Sequence, residues 1–197
     1  LVDMAQAKHI ACTDEEAVLD NMQSTVEQMR QAQRSLRQKL KLMDFADDVA
    51  ARICRSAFDL DGDGELSFSE ASKISSISNH FQGQAITSFD ELQYFTSVKE
   101  LHGSSFNGCT KLTTITLPSS IERIYYYAFL NCSQLTSITL PEYVITIGDQ
   151  AFSGCTRLKT VRIDNPDPQS IDLKSNAFTT SVIRTATLQV PAGAKEL

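Results

Sequence analysis

The chain has 197 residues, of which 42% are hydrophobic and 21% charged, proportions that are typical of a globular protein and exclude disorder along its whole length. Its formal net charge is −6, and residues 59–70 alone carry five acidic and no basic side chains. The remainder is close to neutral, which excludes a broad basic face for nucleic acid. Apolar runs of only a few residues predict no transmembrane segment.

The first predicted segment, residues 1–44, contains a long amphipathic helix. Thr13 and Glu16 form a capping box, and apolar residues follow at spacings of three and four from Leu19 to Met43. This apolar seam must be covered, and the sequence leaves two alternatives. Self-association through Leu19–Met43 is one. Docking onto the next segment is the one we favour, because Phe45 follows too closely for a free linker.

Residues 45–80 form the second predicted segment, with a helix at Val49–Phe58 followed by a loop at Asp59–Glu70 that matches the EF-hand calcium pattern. Calcium binds about seven oxygen ligands, and five acidic residues in twelve would repel one another without a cation. The candidate ligands are Asp59, Asp61, Asp63, the Glu65 carbonyl, Ser67 and Glu70. Because only one such loop occurs, the sequence predicts a fixed structural Ca²⁺ rather than a switch.

Residues 81–197 form the third predicted segment, in which equivalent residues recur every 23 positions. Such a repeat cannot bury its own apolar face, so successive units must stack. The fold class predicted is therefore α/β, a right-handed leucine-rich repeat solenoid with a parallel sheet, preceded by the helical and calcium-binding segments. One short strand per unit is expected, at Leu112–Leu117, Leu135–Leu140 and Leu158–Ile163.

Weaker units flank the three clear ones. Upstream, Phe89, Leu92 and Tyr94 are expected at the places of Leu112, Ile115 and Leu117. Downstream, residues 165–168 absorb three extra positions before Ala177 and Phe178, and residues 188–191 repeat the end of a strand. The segment 70–81 leads from the calcium loop to the first repeat. Its apolar residues are expected to cover that open end, with calcium holding the segment in place as an N-terminal cap.

One cysteine recurs in each clear unit: Cys109, Cys132 and Cys155. The spacing matches the structural repeat and no zinc pattern, so these residues are predicted to be free, buried thiols that pack as small hydrophobic groups. Five cysteines in total also mean that at least one lies outside any intramolecular disulfide.

The exposed alternate positions of the strands form a candidate ligand surface, because a solenoid presents them along one preformed sheet. These positions are Glu91, Gln93, Thr114, Thr116, Ser137, Thr139, Thr160 and Arg162. A second candidate is the turn 125–127, where Tyr126 is an exposed aromatic of the kind that dominates protein interfaces. We expect one of the three tyrosines of this turn to pack inward beside Phe129.

The repeat pattern Ala-Phe-x-x-Cys followed by Ile-x-Leu-Pro resembles that of the BspA-like leucine-rich repeat family of bacterial cell-surface proteins. The likeness extends over residues 45–197, through the calcium loop and the closing Val-Pro-Ala-Gly segment. The resemblance implies display at the bacterial cell surface and adhesion to a host or cell-surface protein or glycan. Lipid anchoring through a segment outside this sequence is compatible with it.

The sequence leaves three classes of function to consider. The first is a non-enzymatic binding module. The second is a calcium-stiffened spacer or assembly module of a longer surface protein. The third, an enzyme, is disfavoured, because the three histidines lie in unrelated segments and no nucleophile motif, phosphate loop or His-Glu-x-x-His pattern occurs.

Overall fold

The computed structural model describes residues 26–178 and 186–192 of the chain. Within these ranges lie helices α1 (Val26–Lys39), α2 (Asp48–Phe58) and α3 (Phe68–Ala71), nine short strands, and two 3₁₀ segments at Asp90–Tyr94 and Pro168–Ser170. The strands are β1 (Ser88–Phe89), β2 (Glu100–Leu101), β3 (Thr114–Ile115), β4 (Arg123–Ile124), β5 (Ser137–Leu140), β6 (Thr146–Ile147), β7 (Thr160–Ile163), β8 (Asp172–Leu173) and β9 (Thr187–Gln189).

The strands form a parallel solenoid with two sheet faces. Sheet A contains β1, β3, β5, β7 and β9, and sheet B contains β2, β4, β6 and β8. In sheet A the pair β1–β3 and the trio β5–β7–β9 are joined by a hydrogen bond of 3.3 Å from the Thr136 N–H to the Thr113 carbonyl. The solenoid is confirmed, but the expectation of one strand per unit is wrong, because the last isoleucine of each unit, Ile124 and then Ile147, pairs with its equivalent to build sheet B.

The strands of sheet A are also shorter than expected. The N–H groups of Leu112, Leu135 and Leu158 donate to the carbonyls of the cysteines three residues earlier, at 3.0–3.1 Å. Each leucine therefore belongs to a tight turn, and its N–H is not available for pairing with a neighbouring strand. For this reason pairing begins two residues later, at Thr114, Ser137 and Thr160.

Stacked phenylalanines run through the interior of the solenoid. The ring centroids of Phe106 and Phe129 lie 5.2 Å apart, those of Phe129 and Phe152 also 5.2 Å, and those of Phe152 and Phe178 4.9 Å. These distances approximate the strand spacing, because each turn places its phenylalanine directly above the last. Phe129 and Leu135 are both 0% exposed, which confirms their assignment to the core of the middle turn.

The first turn has a different register from the one expected. Phe89 pairs with Ile115, an offset of 26 residues, whereas Leu101 pairs with Ile124 at the regular 23. The three extra residues lie between these anchor points, in the 3₁₀ segment Asp90–Tyr94. The assignment of Phe89 to the place of Leu112 is therefore wrong.

The later insertion agrees with the sequence analysis. Ile147 pairs with Leu173, again at an offset of 26 residues. The extra length forms the loop that contains the 3₁₀ segment Pro168–Ser170. The following strand β9 aligns Leu188 with Val161, as the repeated strand ending predicted.

Helix α1 ends earlier than expected, at Lys39 rather than near Asp44. Lys41 adopts a left-handed backbone conformation with φ 54°, its N–H donates to the Gln38 carbonyl, and the N–H of Leu42 donates to the Arg37 carbonyl. This hydrogen-bond pattern is that of a Schellman motif, which stops a helix. The N-terminal part of the expected seam, including Leu19, lies outside the described residues.

The C-terminal end of the seam folds back onto the loop at residues 59–70. The Met43 N–H donates to the Leu66 carbonyl at 2.8 Å, and the Phe68 N–H donates to the Lys41 carbonyl at 3.1 Å. Leu42 and Ser67 form an isolated antiparallel bridge between these two pairs. Met43 is fully buried in the same core cluster as the repeats, in agreement with the docking that we favoured.

The segment before the repeats packs on the first turn. The Phe81 ring lies 4.7 Å from that of Phe89, and Phe58 contacts Phe95 edge to face at 5.6 Å. Ile77 and Phe81 are buried, and Ile74 packs against the same cluster. The segment expected to cover the open end of the solenoid therefore does so.

Candidate functional site

The loop after α2 brings three carboxylates together. One oxygen each from Asp59, Asp61 and Asp63 lies within 4.8 Å of the others. The loop curls tightly because Gly62 and Gly64 have φ values of 75° and 82°, a region that side chains disfavour. Their N–H groups donate to the two oxygens of Asp59, at 2.7 and 2.8 Å. Burial opposes ionisation, but these hydrogen bonds, together with the N–H groups of Asp61 and Asp63, outweigh it and lower the pKa of Asp59.

Glu70 closes the loop from the other side. Its Oε1 accepts hydrogen bonds from the N–H groups of Leu60 and Asp61, and its Oε2 accepts from the Ser67 N–H and hydroxyl. The pKa of Glu70 is lowered because these donors outweigh the effect of burial. Ser67 is also the N-cap of α3 in a complete capping box. The exit helix is only four residues long, so the unit is an abbreviated helix–loop–helix.

The donor set suits a hard cation. Three aspartates converge, and all of the candidate side-chain ligands are oxygens, which calcium favours. Of the predicted ligand set, the structure brings together these three carboxylates, whereas Glu70 and Ser67 hydrogen-bond each other and the loop backbone. The full ligand set stays a prediction.

The side chain of Glu65 binds the loop to both long helices. Its carboxylate lies 3.0 Å from Arg37 Nη1 of α1 and 2.8 Å from Arg55 Nε of α2. Arg37 is only 8% exposed, and its other partners are Asp44 and the Met43 carbonyl. Burial would lower the pKa of Arg37, but the carboxylates of Glu65 and Asp44 outweigh it and raise that pKa. Sequence reasoning used only the Glu65 backbone and missed this arrangement.

Sheet A carries most of the predicted ligand surface. Thr114, Thr116, Ser137, Thr139 and Arg162 are exposed, and Thr160 is half-exposed. Because neighbouring strands are in register, these residues form two parallel rows, with Ser137 beside Thr160 and Thr139 beside Arg162. The structure thus brings the predicted strand positions onto one surface.

Two predicted members of that surface lie elsewhere. Glu91 and Gln93 are in the 3₁₀ segment of the first turn, and Glu91 is buried, with its Oε1 accepting a hydrogen bond from the Ala46 N–H at 2.8 Å. The prediction that Glu91 is an exposed surface residue is wrong, because the insertion shifts the register by three residues. The places expected for Glu91 and Gln93 in the two rows are taken by Ser88 and Asp90. The Asp90 carboxylate accepts a hydrogen bond from the Thr116 hydroxyl at 2.8 Å.

Sheet B presents paired charges that the sequence analysis missed. Lys99 Nζ lies 2.9 Å from Glu122, and Arg123 Nη1 lies 3.2 Å from Glu100. Lys99 and Glu122 stand 23 residues apart, as do Glu100 and Arg123, so both pairs join successive turns. The sequence signal that could have predicted these pairs is opposite charge at the 23-residue repeat spacing. Within each pair, the two opposite charges neutralise each other between the turns that contain β2 and β4.

The tyrosine turn leads out of sheet B. Tyr126 is 56% exposed, while Tyr125 and Tyr127 are half-buried. The expectation that one of the three tyrosines is buried beside Phe129 is therefore wrong. Tyr125 stacks on His102 with ring centroids 5.8 Å apart. A Cβ at Gly148 would lie 2.5 Å from the Tyr126 backbone nitrogen, so this close approach requires glycine.

A cleft of about 440 Å³ lies where the N-terminal segment meets the first repeat. It is bounded by the end of α1, by Phe68 of α3 and by the 3₁₀ segment Asp90–Tyr94. Phe68 and Tyr94 contact each other edge to face, with ring centroids 4.7 Å apart. The cleft adjoins the end of sheet A, because Asp90 belongs to one of the rows described above.

The three repeat cysteines are buried and free. The Cys132 and Cys155 thiols donate to the carbonyls of Phe106 and Phe129, the motif phenylalanines one turn earlier, at 3.1 and 3.2 Å. The Cys109 thiol donates to the carbonyl of Phe81, which precedes the regular motifs, at 2.9 Å. The prediction of buried free thiols is confirmed, and each one also donates a hydrogen bond between turns. Burial raises the pKa of Cys109 and of Cys155 to about 12, so both are held as thiols.

Comparison with known proteins identifies the repeats. Residues 73–192 match the model of the BspA type leucine rich repeat region, in six copies. A leucine-rich repeat protein of T. pallidum with a crystal structure is 34% identical over 44% of this chain and 39% of that one, with a TM-score of 0.40. The chain thus covers well under two thirds of that relative, and no curated protein matches it.

No helix in the described ranges is both long enough and apolar enough to cross a membrane.

The matched residues 73–192 make up more than half of the chain and coincide with the observed parallel turns. The chain therefore belongs to the BspA-type leucine-rich repeat family.

Proposed function

We propose that this chain is a non-enzymatic binding module that recognises a protein or glycan at the bacterial cell surface through the exposed side of sheet A. The observation that carries the proposal is the register of the polar rows, in which Thr114, Thr116, Ser137, Thr139 and Arg162 share one surface over a fully packed core. A preformed surface loses little conformational entropy on binding. Leucine-rich repeat proteins generally serve as binding modules, and BspA-type members are typically surface proteins.

A screen of the purified chain against host extracellular proteins and glycans tests this proposal. A bulky Thr139→Trp substitution in the centre of sheet A should weaken any specific binding by about tenfold or more, because it prevents close approach over the centre of the surface. The matched control is Thr146→Trp, which places the same side chain on sheet B. Equal loss in both variants, or a ligand that tolerates Thr139→Trp, would contradict the use of sheet A.

The second candidate function is a calcium-stiffened spacer or assembly module of a longer surface protein. The ion pairs between turns on sheet B, Lys99 with Glu122 and Glu100 with Arg123, favour it. A spacer requires rigidity but no ligand of its own. This candidate replaces the first if the screen yields no ligand while the chain remains folded.

We also propose that the loop binds one structural Ca²⁺ through Asp59, Asp61, Asp63, Ser67, Glu70 and the Glu65 carbonyl. The convergent aspartates and the glycine-dependent curl support this set. The Leu66 carbonyl is hydrogen-bonded to Met43, so the loop position that pairs two EF-hands is here paired with the end of α1. Calorimetric titration of chelator-treated protein with CaCl₂ should show one site, and Glu70→Gln should weaken it by about tenfold or more.

A further inference from the structure

The cleft between the N-terminal segment and the first repeat has walls of two kinds. One wall is acidic and comes from the 3₁₀ segment, which contributes the consecutive residues Asp90 and Glu91. The other is aromatic and comes from Phe68 and Tyr94, which are 39% and 41% exposed. Together, the two walls place exposed aromatic rings and carboxylates in the same cleft.

Among the described residues, the hydrogen-bond donors to these two carboxylates are all uncharged. Asp90 accepts from the hydroxyls of Thr116 and Thr114, at 2.8 and 3.4 Å. Glu91 Oε1 accepts from the Ala46 N–H, and its Oε2 is buried with no hydrogen-bond partner among the described residues. Glu91 is only 9% exposed, so the half-exposed Asp90 is the carboxylate of this wall that a ligand reaches directly.

The remaining charged residues of the cleft are Asp44 and Lys41. Asp44 is already paired with Arg37, and Lys41 is the one basic residue among the described residues that line the cleft. Its side chain is exposed and belongs to the turn that ends α1. The lining of the cleft therefore sets the acidic residues Asp90 and Glu91 against the exposed Lys41, whose long flexible side chain is not a fixed counter-ion.

We propose that this cleft binds an arginine side chain of a polypeptide partner. A guanidinium group can pair with a carboxylate and stack on an aromatic ring at the same time, a combination that a lysine ammonium matches less well. The volume of about 440 Å³ is ample for one such side chain. The inference rests on the proposed binding function for its partner, and it selects a protein over a glycan.

The position of the cleft explains why a polypeptide would reach it. Asp90 lies in the same row of sheet A as Thr116 and is followed there by Thr139 and Arg162. Successive turns are about 4.8 Å apart, so an extended segment lying across the sheet can span the row and place one side chain in the cleft. The row thus begins at the acidic Asp90 and reaches the basic Arg162.

The test uses a peptide probe and does not require the natural partner. ¹⁵N-labelled full chain is titrated with acetyl-Gly-Arg-Gly-amide and with the same peptide carrying citrulline, which has the shape of arginine but no charge. We expect saturable amide shifts at residues 41 and 90–94 with the arginine peptide and at least a fivefold weaker response with citrulline. Equal responses to the two peptides, or shifts confined to other residues, would overturn the proposal.

Two substitutions examine the two walls separately. Asp90→Asn keeps an oxygen for the Thr116 hydroxyl but removes the charge, and Tyr94→Ala removes one ring. Each should weaken the arginine peptide by about threefold to tenfold. The matched controls are Asp172→Asn and Tyr143→Ala, an exposed aspartate and an exposed tyrosine outside the cleft, and both should bind as the unmodified chain does. Equal effects of test and control variants would contradict a specific site.

Failure of this inference can be told apart from failure of the proposed function. If a protein found in the screen loses binding with Thr139→Trp but tolerates Asp90→Asn and Tyr94→Ala, the binding function stands and the arginine site is refuted. If the arginine peptide binds in the cleft while the screen finds no partner, the site stands and the binding function of sheet A is refuted.

Discussion

The Asp47 carboxylate accepts two hydrogen bonds from Thr87, a residue 40 positions further along the chain, at 2.7 Å from its hydroxyl and 2.8 Å from its N–H. The other oxygen of Asp47 accepts the Ala50 N–H and thereby caps helix α2. One buried side chain therefore starts helix α2 and attaches it to the edge of the first repeat.

We expect Asp47→Asn to keep the helix cap but to lose the connection to Thr87, because an amide NH₂ would face the Thr87 N–H. The loss should be about 1–3 kcal/mol in the free energy of unfolding, measured by urea denaturation. Asp48→Asn is the matched control, since Asp48 is exposed in the first turn of the same helix, and it should cost less than about 1 kcal/mol. Equal costs would show that the connection to Thr87 contributes nothing.

The same residue predicts a dependence of stability on pH. Burial would raise the pKa of Asp47, but the hydrogen bonds from Thr87 and Ala50 outweigh it and lower that pKa in the folded state. A lowered folded pKa stabilises the protein above the unfolded value of about 3.9 and ceases to do so as the pH falls through the folded pKa. The stability difference between the unmodified chain and Asp47→Asn should therefore shrink below about pH 4.

Truncation of the middle turn should be costly. Leu135→Ala and Phe129→Ala each leave a cavity in a fully buried core, and we expect losses of about 2–5 kcal/mol in the free energy of unfolding. Thr136→Ala, next to Leu135 but exposed, should change stability by less than about 0.5 kcal/mol. A loss for Leu135→Ala as small as that of Thr136→Ala would contradict the packing described.

The cysteines should be unreactive while the protein is folded. Burial raises their thiol pKa values, to about 12 for Cys109 and Cys155, so very little reactive thiolate is present near pH 8. Alkylation of the native protein at pH 8 should be negligible at these positions and should become rapid in 6 M guanidinium chloride. Fewer than three alkylated repeat cysteines in unfolded, unreduced protein would contradict the free-thiol ladder.

Calcium should raise the melting temperature. At a free concentration of about 100 times Kd, a single bound ion adds about 2.7 kcal/mol to the free energy of unfolding. Chelation should therefore lower the melting temperature, and Asp59→Ala should lower it to a value that chelator no longer changes. Asp172→Asn, an exposed aspartate on sheet B, should respond to calcium as the unmodified chain does. An identical melting curve with and without chelator, in protein first shown to be calcium-free, would refute the stabilising role.

Removal of the charge of Glu65 should weaken the docking of α1. Glu65→Gln leaves Arg37, which is almost fully buried, with fewer anionic partners, so we expect a loss of about 1–3 kcal/mol in the free energy of unfolding. Glu27→Gln is the matched control, because the pair between Glu27 and Arg30 spans 3.8 Å with both side chains about 60% exposed and should contribute close to zero. Similar losses for the two variants would refute a structural role of the Glu65 contacts.

Much of the solenoid followed from the sequence because its core is periodic. Phe106, Phe129 and Phe152 recur at 23 residues, and each must lie above the last if strands stack at a constant spacing. The tight loop at residues 59–70 could also be read from the sequence, since its pattern runs over twelve consecutive residues and the loop is closed by local hydrogen bonds, while its Ca²⁺ ligands stay a prediction. Local and periodic constraints can be read along the chain without knowledge of what lies opposite.

The tertiary structure alone decided the features that depend on what lies opposite. The three-residue insertion in the first turn was hidden because Leu92 and Tyr94 fall at spacings that also suit a regular repeat, and only strand pairing shows that Phe89 aligns with Ile115. Glu91 is buried because that insertion turns it toward Ala46. Sheet B, the fold-back of α1 and the cleft likewise arise from surfaces brought together by stacking and docking. Periodicity determines which residues face inward, whereas contact between distant segments determines which of the others remain exposed.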